Sequence, residues 1–272
     1  MPGVMSEAKM RVDASGVAHA KAGPEPRIVS LVPSLTELLC ELGLVGSIVA
    51  RTGFCIHPRD QVRAIPKVGG TKDVNIGKIR QLAPTHVIVN IDENTKETAA
   101  ELAGFVENII VTHPIAPRDN LLLFELMGFL FSAEERAGQL IERFSEQLEL
   151  LSFETDKEAR DVLYLIWRDP WMTVTSDTYI SRMLDLISWR TLPEQSPDRY
   201  PAITLSDYVG KVGTVLLSSE PYPFKSKHIA EVKEIFGSDT KVSLVDGEML
   251  SWYGSRAIAG LDYLRNMASR QH

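Results

Sequence analysis

Residues Ser132 to Phe153 read SAEERAGQLIERFSEQLELLSF, a run with no proline and a single glycine, Gly138. Ser132 followed three residues later by Glu135 has the form of a capping box, in which side chain and backbone satisfy two helix-start amide donors reciprocally. Ala137, Leu140, Ile141, Phe144, Leu148 and Leu151 recur at helical spacing and make one apolar stripe, while Glu142, Arg143, Glu146 and Glu149 fall mostly elsewhere. At about 1.5 Å per residue the run is a rod roughly 30 Å long, the span of a small domain. Such a helix must lay its apolar face on something, and on both sides of it strand-like and helix-like segments alternate. The expected fold is α/β: two lobes with mainly parallel sheets flanked by helices, joined by one long backbone helix. The expected divisions are an N-terminal arm over 1–26, a first lobe over 27–131, the backbone helix over 132–157 and a second lobe over 158–272.

In the first lobe, RIVSLVP (Arg27 to Pro33) is a buried-strand run. Ser34 and Glu37 repeat the capping-box form and open a helix that Gly43 ends. Further strands are expected over Ser47–Arg51, His86–Asn90 and Glu107–His113, with helices over Ile76–Leu82 and Asp119–Phe131, and with Asn94 and Glu97 as a cap pair for a helix between. The second lobe repeats the grammar. Strands fall at Asp161–Trp167, Thr214–Glu220 and Lys241–Gly247. Helices fall at Thr178–Ser188, Ile229–Phe236 and Arg256–Ala268, the first with a polar cap at Ser176 or Asp177. Glu248 to Ser255 reads as a loop, and Gly23, Pro24 and Pro26 mark the arm as loose.

The 272 residues are 44% hydrophobic and 24% charged, enough for a sizeable core. A net charge of −7 argues against nucleic-acid or anionic-membrane partners, which share its sign. The two cysteines, Cys40 in an apolar helical run and Cys55 in a loop, do not suggest a disulfide framework. Nothing approaches a membrane span. The first 26 residues, with Glu7, Lys9, Arg11 and Asp13, hold no apolar core of a signal peptide, so cytoplasmic residence is expected for the chain as given, and periplasmic residence if a leader precedes it.

In parallel sheets flanked by helices, ligands bind beyond the carboxyl ends of the strands. The loops there carry Ser34, Phe54, Thr71, Lys72, Glu93 and Asn94 in the first half, and Arg168, Trp171, Tyr222, Phe224, Trp252 and Tyr253 in the second. Only 7% of the chain is aromatic, yet five rings sit in these second-half loops, where flat rigid side chains suit a large planar or greasy ligand. Packing of the protein itself is the alternative reading of each ring. Arg168 could pair with a ligand carboxylate or phosphate, or with a surface acid. Cys55 and His57 place a thiol and an imidazole two residues apart, and Asp73, Glu93 and His113 could complete a metal set if the fold gathers them. Nucleotide-binding glycine motifs, nucleophile elbows and the metalloprotease helix motif are all missing, so no catalytic residue is assigned and no intrinsic cofactor is expected.

The run RIVSLVPSLTELLCELGL, then VGGTKDVN with IRQLAPTHVIV, the long helix, LYLIWRDPWMTVTSDTYISRMLDL and LVDGEMLSWYGSRAIAGL resemble the helical-backbone class of periplasmic binding proteins over roughly residues 27 to 268. That class includes cobalamin and iron-siderophore carriers of ABC importers. The resemblance implies a non-enzymatic protein that holds a cobalamin-like corrinoid or ferric chelate between two lobes that barely move, with an importer permease as partner. In particular it resembles a leaderless branch of the class. Cobalamin carriers often place an aromatic residue where this chain has Gly70-Thr71-Lys72. The competing reading is a cytoplasmic metal-binding protein or enzyme that uses Cys55 and His57 on the same scaffold.

Overall fold

The structure, a computed structural model, describes residues 10–154 and 159–269; the start of the expected arm and the last residues of the expected backbone helix lie outside this range. In chain order the elements are β1 (Arg11–Val12), β2 (Ala18–His19), β3 (Ile28–Ser30), α1 (Pro33–Glu41), β4 (Ile48–Arg51), α2 (Arg59–Val62), α3 (Ile76–Gln81), β5 (His86–Asn90), α4 (Lys96–Ala103), β6 (Asn108–Thr112), α5 (Asp119–Leu130) and α6 (Glu134–Glu154). There follow β7 (Arg160–Leu165), α7 (Tyr179–Asp185), β8 (Trp189–Thr191), β9 (Thr214–Ser218), α8 (Ser226–Phe236), β10 (Lys241–Val245), α9 (Gly247–Ser251) and α10 (Arg256–Ser269). The chain forms two compact units, Met1–Pro114 with Asn120–Glu142, and Ile115–Asp119 with Arg143–His272. α6 starts in the first unit and its residues from Arg143 onward belong to the second.

Each unit holds a four-stranded parallel sheet, ordered β4-β3-β5-β6 in the first and β8-β7-β9-β10 in the second. The two orders are the same when strands are numbered within their own sheet: second, first, third, fourth. Strand order therefore reverses direction between β3 and β5 and again between β7 and β9, and the carboxyl ends of such pairs are where open α/β sheets bind ligands. All residues of β3, β5 and β9 are buried, as strands covered on both faces require. The first core gathers Val29, Leu31, Val87, Val89, Ile79 and Leu102, and the second Leu163, Leu165, Val215, Leu217, Val232 and Phe236.

Several boundaries differ from the sequence reading, each for a local reason. Ser132 does not cap α6. It ends α5, with φ +54° and a Schellman pair in which the Ala133 N–H donates to Gly128 O (2.8 Å) and the Ser132 N–H to Phe129 O (3.4 Å). α1 likewise starts at Val32-Pro33 with no side-chain cap, α4 is capped by Thr95 rather than Asn94, and α7 by Thr178 rather than Ser176 or Asp177. The loop expected after β10 winds into α9, because the Asp246 carboxylate accepts from the Glu248 and Met249 amides. β8 has no counterpart in the sequence reading.

The arm is not loose over its described part. β1 and β2 form an antiparallel hairpin against β6, the edge strand of the first sheet. The Ala14 N–H donates to Val111 O (3.0 Å), and the Val111 N–H donates to Asp13 Oδ2 (2.9 Å). Asp13 also accepts from the Ser15 and Val17 amides and contacts buried His19 at 3.0 Å. An exposed strand edge invites wrong pairing, and this hairpin occupies it.

Candidate functional site

At the carboxyl end of the first sheet, three loops are tied to one another. Gly69 turns the loop after β4: its φ is +103°, and a Cβ there would collide with the Asp73 carbonyl, so only glycine fits. The Gly53 N–H donates to Gly69 O (2.7 Å) and the Gly70 N–H to Asp73 O (2.8 Å). Phe54 stands against Gly70, its ring carbon 3.4 Å from where a Cβ would be. Phe54 is 61% exposed, Ile56 51% and Ile91 50%, three large apolar side chains in water at one end of one sheet. Lys72 is exposed, while Thr71 and Glu93 are half-buried. Ser34, in the first turn of α1, is 2% exposed and its Oγ has no hydrogen-bond partner.

Of the expected metal pair Cys55 and His57, the thiol is held inside the protein. Cys55 is fully buried, its Sγ 3.1 Å from Thr52 Oγ1 and 3.9 Å from Ser30 O. Burial pushes its thiol pKa up, against formation of the thiolate that binds metals. Among the described residues no group of three or more His, Cys, Asp or Glu is placed to hold a metal ion, so Asp73, Glu93 and His113 do not join the pair. His113 instead lies 3.5 Å from Asp92.

In the second unit the aromatic residues divide into two groups. Tyr222 meets Trp167 edge-on with ring centres 5.6 Å apart and Phe224 at 4.7 Å, and Phe224 stacks with Trp171 at 6.0 Å and 3°. These rings sit at the ends of β7 and β9, where strand order reverses. The Tyr222 N–H donates to Ile166 O (3.3 Å), which joins the two strand ends directly. Trp167, absent from the sequence candidates, is 40% exposed. Trp252 and Tyr253 are instead buried. Trp252 Nε1 donates to Glu220 Oε1 (2.7 Å), and Tyr253 packs edge-on against Tyr179. Burial raises the Glu220 pKa; the bonds from Trp252 and Ser251 oppose that rise, and Glu248 and Asp246 add to it.

Arg168 does not stand open for a ligand. Its Nε and Nη2 grip Glu231 at 3.0 and 2.7 Å, its Nη1 reaches Asp169, and its guanidinium lies 5.7 Å from the Trp171 ring centre. The hydrogen bonds from Arg168 hold the Glu231 carboxyl below its ordinary pKa. Glu231 lies 63 residues from Arg168 in the chain, so no local pattern reveals the pair.

A periplasmic binding protein family matches residues 28–206, about two thirds of the chain, and the chain belongs to that family. A vitamin B12-binding protein of Photorhabdus laumondii is 24% identical over 194 residues, 70% of this chain and 69% of its own length. Among solved structures, the periplasmic vitamin B12-binding protein BtuF of Vibrio cholerae matches with a TM-score of 0.78 at 18% identity, over 91% of this chain and 99% of that one. The periplasmic heme-binding protein RhuT of a Roseiflexus species matches at 0.75 and 18%, over 90% of this chain and 99% of that one. The α/β fold with two parallel four-stranded sheets is that of these proteins, and the function is that of a binding protein. Among the described residues, no helix is long and apolar enough to cross a membrane.

Proposed function

We propose that the protein binds a metal-bearing macrocycle or chelate, a cobalamin-like corrinoid, a heme or a ferric siderophore, without chemically changing it, and hands it to an importer permease. The observation that carries this reading is the apolar surface at the carboxyl ends of both sheets: Phe54, Ile56 and Ile91 on one, and Trp167 with Tyr222 on the other. Large apolar side chains gathered at a strand-order reversal and left in water suit a large, flat, mostly apolar ligand. The similarity to proteins named for vitamin B12 and heme supports the ligand class. The Arg168 side chain is engaged by Glu231 and Asp169, so the reading assigns it the support of Trp171 rather than a ligand contact. Trp252 and Tyr253 are assigned to support for the same reason.

Titration with cyanocobalamin, hemin and a ferric catecholate tests this, read by ligand absorbance and tryptophan fluorescence. At least one should bind, and Trp167→Ala or Phe54→Ala should weaken that ligand about tenfold or more, a loss of about 1.4 kcal/mol. If none of the three binds to folded protein, or if both variants bind normally, the proposed site is wrong.

A further inference from the structure

Asn94 is 8% exposed and stands at the carboxyl end of β5, beside the reversal of strand order. Its Nδ2 donates to Leu31 O (3.3 Å), at the end of β3, and to Thr71 O (2.9 Å), in the loop after β4. Its Oδ1 accepts from the Asn90 N–H (2.9 Å), at the end of β5 itself. One side chain thus joins the exits of three neighbouring strands. The orientation of the amide follows from chemistry: turned over, it would set an oxygen against two carbonyls and an NH2 against an N–H. Both N–H donors are used, and nothing remains on Nδ2 to offer a ligand. Beneath it Asn90 is held in turn, its Oδ1 accepting from the Asp92 N–H (2.8 Å) and its Nδ2 donating to Thr112 Oγ1 (3.4 Å).

We infer that Asn94 is a positioning residue that fixes the Leu31, Thr71 and Asn90 loops as one preformed rim, and that it does not itself touch the ligand. The side-chain bonds run to backbone carbonyls and an amide, so they set where Ser34, Phe54, Thr71 and Glu93 stand, whatever those side chains are. A rim held this way in the free protein lowers the ordering cost of binding, which raises affinity chiefly through slower dissociation. The inference rests on the proposed ligand class for its binding arm and on the geometry alone for its structural arm.

Asn94→Asp keeps the shape and the acceptor but sets an oxygen against Leu31 O and Thr71 O, so it should part the loops. Asn94→Ser, which is smaller and free of that repulsion, is the milder variant should Asn94→Asp not fold. Amide exchange of the full chain without ligand is measured at Gly53, Gly70 and Asn75, whose N–H groups are bonded within the rim. The inference expects exchange there to rise about tenfold or more in either folded variant, with Ile88 and Val89 of β5 unchanged. Whichever of cyanocobalamin or hemin binds the natural protein should dissociate about tenfold faster from the variant, with association rate little changed. Unchanged exchange at the three amides overturns the inference, as does a uniform rise that includes β5, which would make Asn94 an ordinary stabilising residue. If none of cyanocobalamin, hemin and the ferric catecholate binds the natural protein, the ligand reading fails while the exchange pattern still decides the role of Asn94.

Discussion

His86 shows how position sets the chemistry of one side chain. It is buried at the start of β5, 2.7 Å from Thr85 Oγ1 and edge-on to Phe131, and burial followed by the charge of nearby His19 lowers its pKa to about 4. The unfolded chain binds a proton at His86 near pH 6.5 while the folded protein does not until about pH 4. Stability from the neutral imidazole is therefore complete above pH 6.5 and is lost as pH falls through that window, by up to roughly 1.4 kcal/mol per pH unit. Urea unfolding at a series of pH values should show the advantage of the natural protein over His86→Gln shrinking between pH 6.5 and 4; a constant difference would mean that His86 titrates normally. Trp252 offers a second prediction. Trp252→Phe keeps a ring but leaves the Glu220 carboxyl without its 2.7 Å donor, and should cost about 1–3 kcal/mol by chemical denaturation. Trp167→Ala, which loses the edge-on pair with Tyr222 at a position 40% exposed, should cost about 0.5–1.5 kcal/mol.

Among elements, the joint between α5 and α6 depends on close approach. A Cβ on Gly128 would lie 2.5 Å from the Ala137 Cβ, an atom fixed by helix backbone rather than the tip of a flexible chain. Gly128→Ala gains up to about 1 kcal/mol of helix propensity, but overpacking costs about 1–3 kcal/mol, so net destabilisation is expected. Ala137→Gly added to it should restore much of the loss, and failure to do so would place the cost elsewhere. The arm hairpin is held at its own joint by Asp13. Burial acts to raise the Asp13 pKa, yet the bonds from Val111, Ser15, His19 and Val17 outweigh it and hold the carboxyl below its ordinary value. Asp13→Ala should cost about 2 kcal/mol and speed amide exchange at Val111 while leaving β3 protected. Equal exchange at Val111 would mean that the hairpin docks without this carboxylate.

For the whole molecule, the family and the repeated strand order make ligand binding the function, and binding to the folded state alone must stabilise it. A cognate ligand at a hundred times its dissociation constant adds about 2.7 kcal/mol. A thermal melt with hemin or cyanocobalamin should rise accordingly for the probe that binds, and a melt unmoved by saturating probe would show that the unfolded chain binds it equally.

The sequence alone carried the alternation of strands and helices, the long helix of α6 and most of the strand positions, because apolar periodicity is local and survives without tertiary context. It also placed Phe54, Trp171 and Tyr222 at strand ends by the carboxyl-end rule. Caps were read less well. Ser132 and Ser34 have the composition of N-caps, but Ser132 ends α5 instead and Ser34 lies inside the first turn of α1, since the chain entering each helix is steered by packing. Which aromatic residues stand in water and which are buried was decided by the tertiary structure: Trp167 and Trp252 are both rings in strand-end loops, and only a distant partner such as Glu220 separates them. The same holds for Arg168, taken up by Glu231, and for Asn94, taken up by Leu31 and Thr71, because hydrogen bonds between residues far apart in sequence leave no trace in local pattern.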